Sequence, residues 1–193
     1  MSAADLKAPI LLLAMPQVMD PFFYKSVVLL LHHQDEGSQG FIVNRPTGVK
    51  VGEILEDLEI PWLGEESSLA FFGGPVQPQL GTLLFRNDED VQEAETRIEV
   101  CPGVALTQHL GDLESLAEEP PPAFRLLLGY AGWDDGQLVK EILRNDWMTA
   151  PVRNDLLFND DPEQVWQLAM ESVGIDPAQL PSWTPANDED RTN

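Results

Sequence analysis

The sequence predicts an α+β domain organised around a mixed β-sheet, and three features point there. Residues 10–44 hold three apolar runs of strand length with no room for helices between them, which argues against a wholly parallel, doubly wound sheet. Residues 124–151, FRLLLGYAGWDDGQLVKEILRNDWMTAP, join an apolar run to an amphipathic helical segment. The remaining connections are of both hairpin and crossover length, so parallel and antiparallel pairs should coexist.

The first two strands are predicted at 10–15 and 26–33, with a turn at Met19–Asp20–Pro21 between them. A turn at Gly37–Gly40 leads to a third strand at 40–44, which Arg45–Pro46 should end because proline withholds a ladder donor. Val51, Ile54, Leu55 and Leu58 share one helical face, and Pro61 closes that helix. Strands follow at 68–72, closed by Gly73–Gly74–Pro75, and at 81–85 after a Pro78 turn. The acidic stretch 86–95 reads as a solvated loop, and 96–100 alternates like a half-exposed strand. A helix is expected over 105–117, then a stiff connector at 118–122.

The strand at 124–130 is apolar enough to be buried on both faces, and it should stop at a glycine corner, Gly129 to Trp133. Asp134 or Asp135 could cap the next helix, whose apolar positions are Leu138, Val139, Ile142 and Leu143. Short strands are expected at 147–148 and 156–158. The last helix has the clearest start: Asp161 as cap, Pro162 in the first turn, and Gln164 at the capping-box position. Val165, Trp166, Ala169, Met170 and Val173 face inward, and Gly174 suits a left-handed stop. Residues 1–180 thus read as one domain, and 181–193 as a polar tail expected to be disordered.

Of 193 residues, 33 are acidic and 11 basic, a formal net charge of −22. Such a molecule is repelled at long range by phosphate backbones and anionic membranes, and its basic residues are scattered singly. Cys101 stands alone, so no intramolecular disulfide can form. The apolar stretch 8–15 reads as a buried first strand rather than a secretory leader, because Pro9 interrupts it and no small-residue cleavage site follows. These features together predict a cytoplasmic protein without a membrane span.

No phosphate-loop or dinucleotide pattern occurs, and Asp134 and Asp135 stand where an anion would sit at the 136–146 helix. His32 and His33 point to opposite strand faces, His109 is remote, and no paired ligand spacing suggests a metal or cofactor site. Cys101 reads as packing rather than as a nucleophile. Two strand ends are better candidates for ligand binding: Asn44–Arg45–Pro46 and Gly73–Gly74–Pro75. Tyr130, Trp133 and Gln137 complete the candidate set. The structural alternative is that Asn44 caps a turn, Arg45 pairs with a carboxylate, and the glycines permit close backbone approach.

The blocks AMPQVMDPFFYKSVVLLLHH, GFIVNRP, FFGGPVQPQLG and GYAGWDDGQLVKEILRNDW occur in one order across residues 8–175 and resemble the AlgH/YqgE family of bacterial proteins. That resemblance implies a strongly bent mixed sheet closing into a pseudo-barrel, with helices packed outside. It implies no settled activity, although the family carries a transcriptional-regulator label. After GYAGW, where the family often has Gly or Pro, this chain has Asp134 and Asp135.

Three functional readings follow. One is a non-enzymatic regulatory or binding protein acting through a small ligand or a protein partner. Another is a small-molecule enzyme with a site near Arg45, Gly73–Gly74 and Gln137. The third, a direct DNA-binding regulator, is disfavoured by the charge. Oligomeric state is left open.

Overall fold

The structure is a computed structural model that describes residues 6–87 and 96–180. The acidic segment from residue 88 to 95 and the tail from Pro181 lie outside the described residues.

Leucine and valine saturate the first two strands, β1 (Ile10–Ala14) and β2 (Val27–Gln34), which pair antiparallel. Both faces are buried: Leu11, Leu13, Val27 and Leu29 enter one core, while Leu12, Ala14, Val28 and Leu30 enter another. β3 (Gly37–Ile42) continues the meander. Here the expected Gly37–Gly40 turn is corrected. The connection is only Asp35–Glu36, so Gly37 and Gly40 lie in the ladder opposite Gln34 and Leu30.

Pro46 does not end strand structure. It opens β4 (Pro46–Lys50), an exposed strand antiparallel to β5 (Leu69–Phe72), where a missing donor is tolerated. Helix α1 (Val51–Glu56) buries Val51 and Leu55 as its spacing predicts, but it ends before Leu58, which lies in a turn and is exposed rather than on the inward face. β6 (Val76–Arg86) is longer than expected, because Pro78 sits in an irregular stretch of ladder between Val76 and Gly81 rather than in a turn.

The predicted 105–117 helix divides. Pro102–Gly103, with Gly103 at φ 78°, makes a two-residue turn from β7 (Arg97–Cys101) into β8 (Val104–Thr107), and α2 (Leu110–Glu118) starts only afterwards. All four residues of β8 are buried. In a run of four apolar or β-branched residues, period alone does not separate strand from helix, and the sheet decides.

Asp112 anchors α2. Its carboxylate accepts from Thr96 Oγ1 at 2.7 Å, Thr107 Oγ1 at 2.8 Å and Arg97 Nε at 3.2 Å. Burial alone would push this carboxyl up, but the two hydroxyls and the Arg97 guanidinium outweigh it and hold it below its ordinary value. Its stabilising contribution is therefore complete above about pH 4, the unfolded carboxylate range, and is lost as pH falls through the lower folded value. We expect the native protein to lose more stability than Asp112→Asn between pH 5 and pH 3, measured as the shift in urea midpoint. Equal losses would remove Asp112 from the acid limb.

The central strand β9 (Phe124–Asp134) runs straight through the expected glycine corner. It pairs with β6 over Phe124–Tyr130, with β5 in parallel at Leu127 and Leu128, and with β3 over Ala131–Asp134. Gly129, at φ 70°, explains how one strand serves both halves. Leu127 points into the core shared by both halves, yet Ala131 and Trp133 point into the opposite one, so the side-chain phase changes across Gly129.

The full order is β10-β1-β2-β3-β9-β6-β8-β7, where β10 is Trp147–Ala150, with β4 and β5 off this path. This mixed sheet curls into a half-barrel, in line with the expected α+β class and bent sheet. Both halves contribute to one cluster, against which α4 (Asn154–Leu157) and α5 (Val165–Ser172) pack. On the other side of the sheet, α3 (Gln137–Leu143) covers the β1–β3 half, while α1 and α2 cover the β6–β8 half.

Residues 156–158 are not a strand, since Leu156 and Leu157 lie in α4 and fill the shared core. The expected cap of α5 at Asp161 is corrected: the helix begins only at Val165, with Gln164 as its N-cap and no side-chain cap. Asp161 organises the turn before it, its carboxylate accepting from Glu163 N at 3.1 Å and Gln164 Nε2 at 2.6 Å. Gly174 at φ 79° stops α5, and Ile175 N reaches back to Met170 O at 3.0 Å. Among the described residues, no helix is long and apolar enough to cross a membrane.

Candidate functional site

The β1–β2 loop is built by Asp20. Its Oδ1 accepts from Phe22 N at 2.8 Å, and its carbonyl accepts from Phe23 N and Tyr24 N at 3.1 and 2.8 Å. Asn44 and Arg45, in the short connection between β3 and β4, then clamp that loop from the side. Asn44 Oδ1 accepts from Val27 N at 2.8 Å, and Nδ2 donates to Lys25 O at 3.0 Å. Arg45 Nη1 and Nη2 donate to the carbonyls of Pro21 and Tyr24 at 2.5 and 2.6 Å. The expected carboxylate partner for Arg45 is thus replaced by two backbone carbonyls. Burial pulls the guanidinium below its ordinary value, and nearby Asp20 opposes that.

What the clamp displays is apolar. Met19 is 41% exposed, Phe22 47% and Tyr24 42%. Phe22 stacks on Phe72 at 5.5 Å, and Phe72 N donates to Arg45 O, tying the loop to β5. No periodic pattern marks these three side chains in the sequence. The available signal was an aromatic cluster, PFFY, inside a turn segment that lacks either sheet or helix period.

Gly73 and Gly74 lie where β5 meets β9. Gly73 N donates to Leu128 O, and Gly73 O accepts from Ile42 N, both at 2.8 Å. A Cβ on Gly73 would stand 2.3 Å from Gly129 O. These glycines let two backbones touch, and Pro75 beyond them is exposed.

Trp133 and Gln137 meet at a residue that spacing did not single out, Glu141. Its Oε2 accepts from Trp133 Nε1 and Trp147 Nε1, both at 2.8 Å, and its Oε1 accepts from Gln137 Nε2 at 2.9 Å. The two indoles cross edge to face at 5.9 Å, with Phe23 against both. Neither Asp134 nor Asp135 caps α3. Left-handed Gly136 precedes it, and Gln137 Oε1 accepts from Asp134 N instead. Tyr130 packs on the shared core, on the far side of β9 from Trp133.

Pro46 borders a different feature, a groove of about 950 Å³ that also holds Phe71, Arg125 and Asp160. Arg125 lies 4.2 Å over the Phe71 ring, and burial pulls its guanidinium down to about 10 against the opposing Asp160. Cys101 Sγ donates to Asn154 Oδ1 at 3.4 Å, and burial together with Glu99 pushes the thiol up. Among the described residues, no three His, Cys, Asp or Glu side chains gather as metal ligands. The candidate residues therefore sort into a loop clamp (Asn44, Arg45), a backbone crossing (Gly73, Gly74) and an indole–carboxylate hub (Trp133, Gln137).

An AlgH-like family model matches residues 11–178, nearly all of the described sheet and helices. The chain belongs to the AlgH-like family. Among the relatives of this AlgH-like protein, a UPF0301 protein of Myxococcus xanthus is 38% identical over 175 residues, covering 90% of this chain and 94% of the relative. Another, from Methylococcus capsulatus, is 38% identical over 184 residues, covering 94% and 96%. The solution structure of the AlgH protein from Pseudomonas aeruginosa superposes with a TM-score of 0.71 at 30% identity, over 92% of this chain and 94% of that one. Protein DIP2367 from Corynebacterium diphtheriae, at 22% identity and TM-score 0.72 over 89% of each chain, shares the fold. None of these names states a reaction, so the AlgH-like relationship fixes the architecture and leaves the activity to the chain's own residues.

Proposed function

We propose that this AlgH-like chain is a cytoplasmic, non-enzymatic regulatory or binding protein that acts through a protein partner. The observation that supports it is the clamped loop. Asn44 and Arg45 spend their polar contacts on backbone, and the product is a rigid display of Met19, Phe22 and Tyr24. Exposed aromatic side chains on a pre-ordered loop bind with little further loss of conformational freedom, as interface anchors do. The charge of −22 favours a basic partner over nucleic acid, an anionic membrane or a second copy.

The test is native mass spectrometry of the protein isolated from its own host, with Met19→Ser/Phe22→Ser alongside. Both side chains are about half exposed and Phe22 stacks on Phe72, so the double variant should lose about 1–3 kcal/mol while staying folded, which urea unfolding checks. A complex present with the native chain should weaken at least about tenfold. Arg45→Lys should weaken it too, since one ammonium cannot reproduce the fork to two carbonyls. Equal recovery of the same partner with the double variant would defeat this reading.

A further inference from the structure

Among the described residues, Arg125 is a half-buried cation without a counter-ion. It lies on the core face of β9, two residues before Leu127, and its guanidinium covers the Phe71 ring. Nη2 donates to Asn159 O, and among the described residues that is its one hydrogen bond. Nε is buried without a partner, Nη1 donates to nothing, and no carboxylate stands within ion-pair distance. Arg97, Arg144 and Arg153 each hold an aspartate instead. A guanidinium withdrawn from water with most donors unmet is destabilising, and an acceptor arriving from outside offsets part of that.

Arg125 lines the groove of about 950 Å³, within the range of small-molecule clefts, about 300–1,000 Å³. Its walls are mixed. Phe71, Phe124, Phe158 and the Pro120–Pro122 connector supply apolar surface, and Ser67 and Ser68 supply hydroxyls that donate to an anion as readily as to water. Of the three ionisable side chains that line it, Arg125 is the one cation, and Glu65 and Asp160 are exposed acids. None of Met19, Phe22 and Tyr24 lines it, so a ligand here does not depend on a partner at the clamped loop.

These walls specify a ligand. A carboxylate offers a planar guanidinium two coplanar acceptors and a charge. One negative charge fits better than two, because Glu65 and Asp160 oppose a second. The phenyl and proline surfaces favour an apolar body. The net charge of −22 acts at long range and is screened beyond about 8 Å at physiological salt, so contact at Arg125 decides. We propose that the groove is a binding site for a small monocarboxylate with an aromatic or aliphatic body, its carboxylate held by Arg125.

The probes are 3-phenylpropanoate, 3-phenyl-1-propanol, 3-phenylpropylammonium and benzylmalonate, titrated at neutral pH while arginine Nε–H and leucine methyl resonances are recorded. The expected result is saturable shifts at Arg125, Leu63 and Leu69 with 3-phenylpropanoate, at a dissociation constant on the order of 1 mM. The alcohol, lacking charge assistance, should bind about tenfold more weakly. Benzylmalonate, whose second carboxylate faces the two acids, should bind about threefold more weakly, and the ammonium should not bind. Arg125→Met keeps an apolar stem over Phe71 and should weaken the acid at least about tenfold in a chain that urea unfolding shows to be folded. Asp160→Asn, at an exposed position, removes the opposing acid. It should tighten 3-phenylpropanoate about twofold and leave the alcohol unchanged, a response that a purely structural Arg125 would not give.

Four results would each overturn the proposal: no saturable shift with 3-phenylpropanoate, equal affinity for acid and alcohol, benzylmalonate binding more tightly than the monoacid, or undiminished acid binding in folded Arg125→Met. Should Arg125→Met fail to fold, Asp160→Asn decides, and an affinity for the acid that stays level or falls overturns it as well.

Discussion

Gly74→Ala is expected to lose more than about 4 kcal/mol out of a total of roughly 5–15, the largest loss of any single substitution proposed for this chain. A Cβ at Gly74 would stand 2.1 Å from the Tyr130 carbonyl carbon and 2.3 Å from both Tyr130 O and Ala131 N. All three atoms are backbone of the central strand, so no rotamer change relieves the overlap, and Gly74 also holds φ 153°. Relief would require β9 to move away from β5, and with it the junction of the two half-sheets. Gly132→Ala is the control in the same region. Its Cβ would meet the Tyr130 ring at 3.5 Å, an ordinary contact, and its φ is unremarkable. Circular dichroism and urea unfolding should find Gly132→Ala within about 1 kcal/mol of the native chain. If Gly74→Ala matches it, the crossing is not what joins the halves.

Glu141→Ala should cost about 2–5 kcal/mol. The residue accepts from the indoles of Trp133 and Trp147, each only 5% exposed, and truncation leaves two buried donors without an acceptor. Glu141→Gln keeps an oxygen for both indoles and loses only the charge assistance and the clean contact to Gln137, so about 1 kcal/mol is expected. The ordering alanine well below glutamine, read from urea midpoints, is the discriminating result. Matching losses would mean that the carboxylate charge, rather than indole satisfaction, carries the hub. Tryptophan emission supplies a second readout, since loss of the two N–H bonds should shift it.

Much of the architecture was legible beforehand where apolar pattern and capping chemistry agree. The Val51–Leu55 face and the Gly174 stop each depend on neighbours within a turn, and both appear in the fold, whereas the Asp161–Pro162–Gln164 signal marks a turn and α5 begins three residues after Pro162. Glycine misled in two places, at Gly37–Gly40 and at Gly129–Trp133. It signals equally a turn and a strand approached too closely for a Cβ, and only the partner strand distinguishes them. The short runs 104–107 and 156–158 were exchanged between strand and helix for a related reason: four residues carry no usable period.

The candidate site was legible in its residues but not in its meeting points. Asn44 and Arg45 stood out as a polar strand end, yet their partners lie about twenty residues earlier, in a loop whose aromatic residues looked merely like turn material. Glu141 was one of 33 acidic residues, with nothing local to mark it as the acceptor for two indoles.

The amino-acid sequence alone determined the α+β class, the family, the doubly buried strands and the polyanionic exterior, because these rest on composition, short-range period and motif order. The tertiary structure decided the rest: that one strand changes face at Gly129, that Arg45 clamps carbonyls instead of a carboxylate, and that Arg125 lines a groove with Glu65 and Asp160, residues far from it in the chain. Those outcomes depend on which distant backbones touch, and contact between remote segments is set by the packing of the whole sheet, not by any stretch within it.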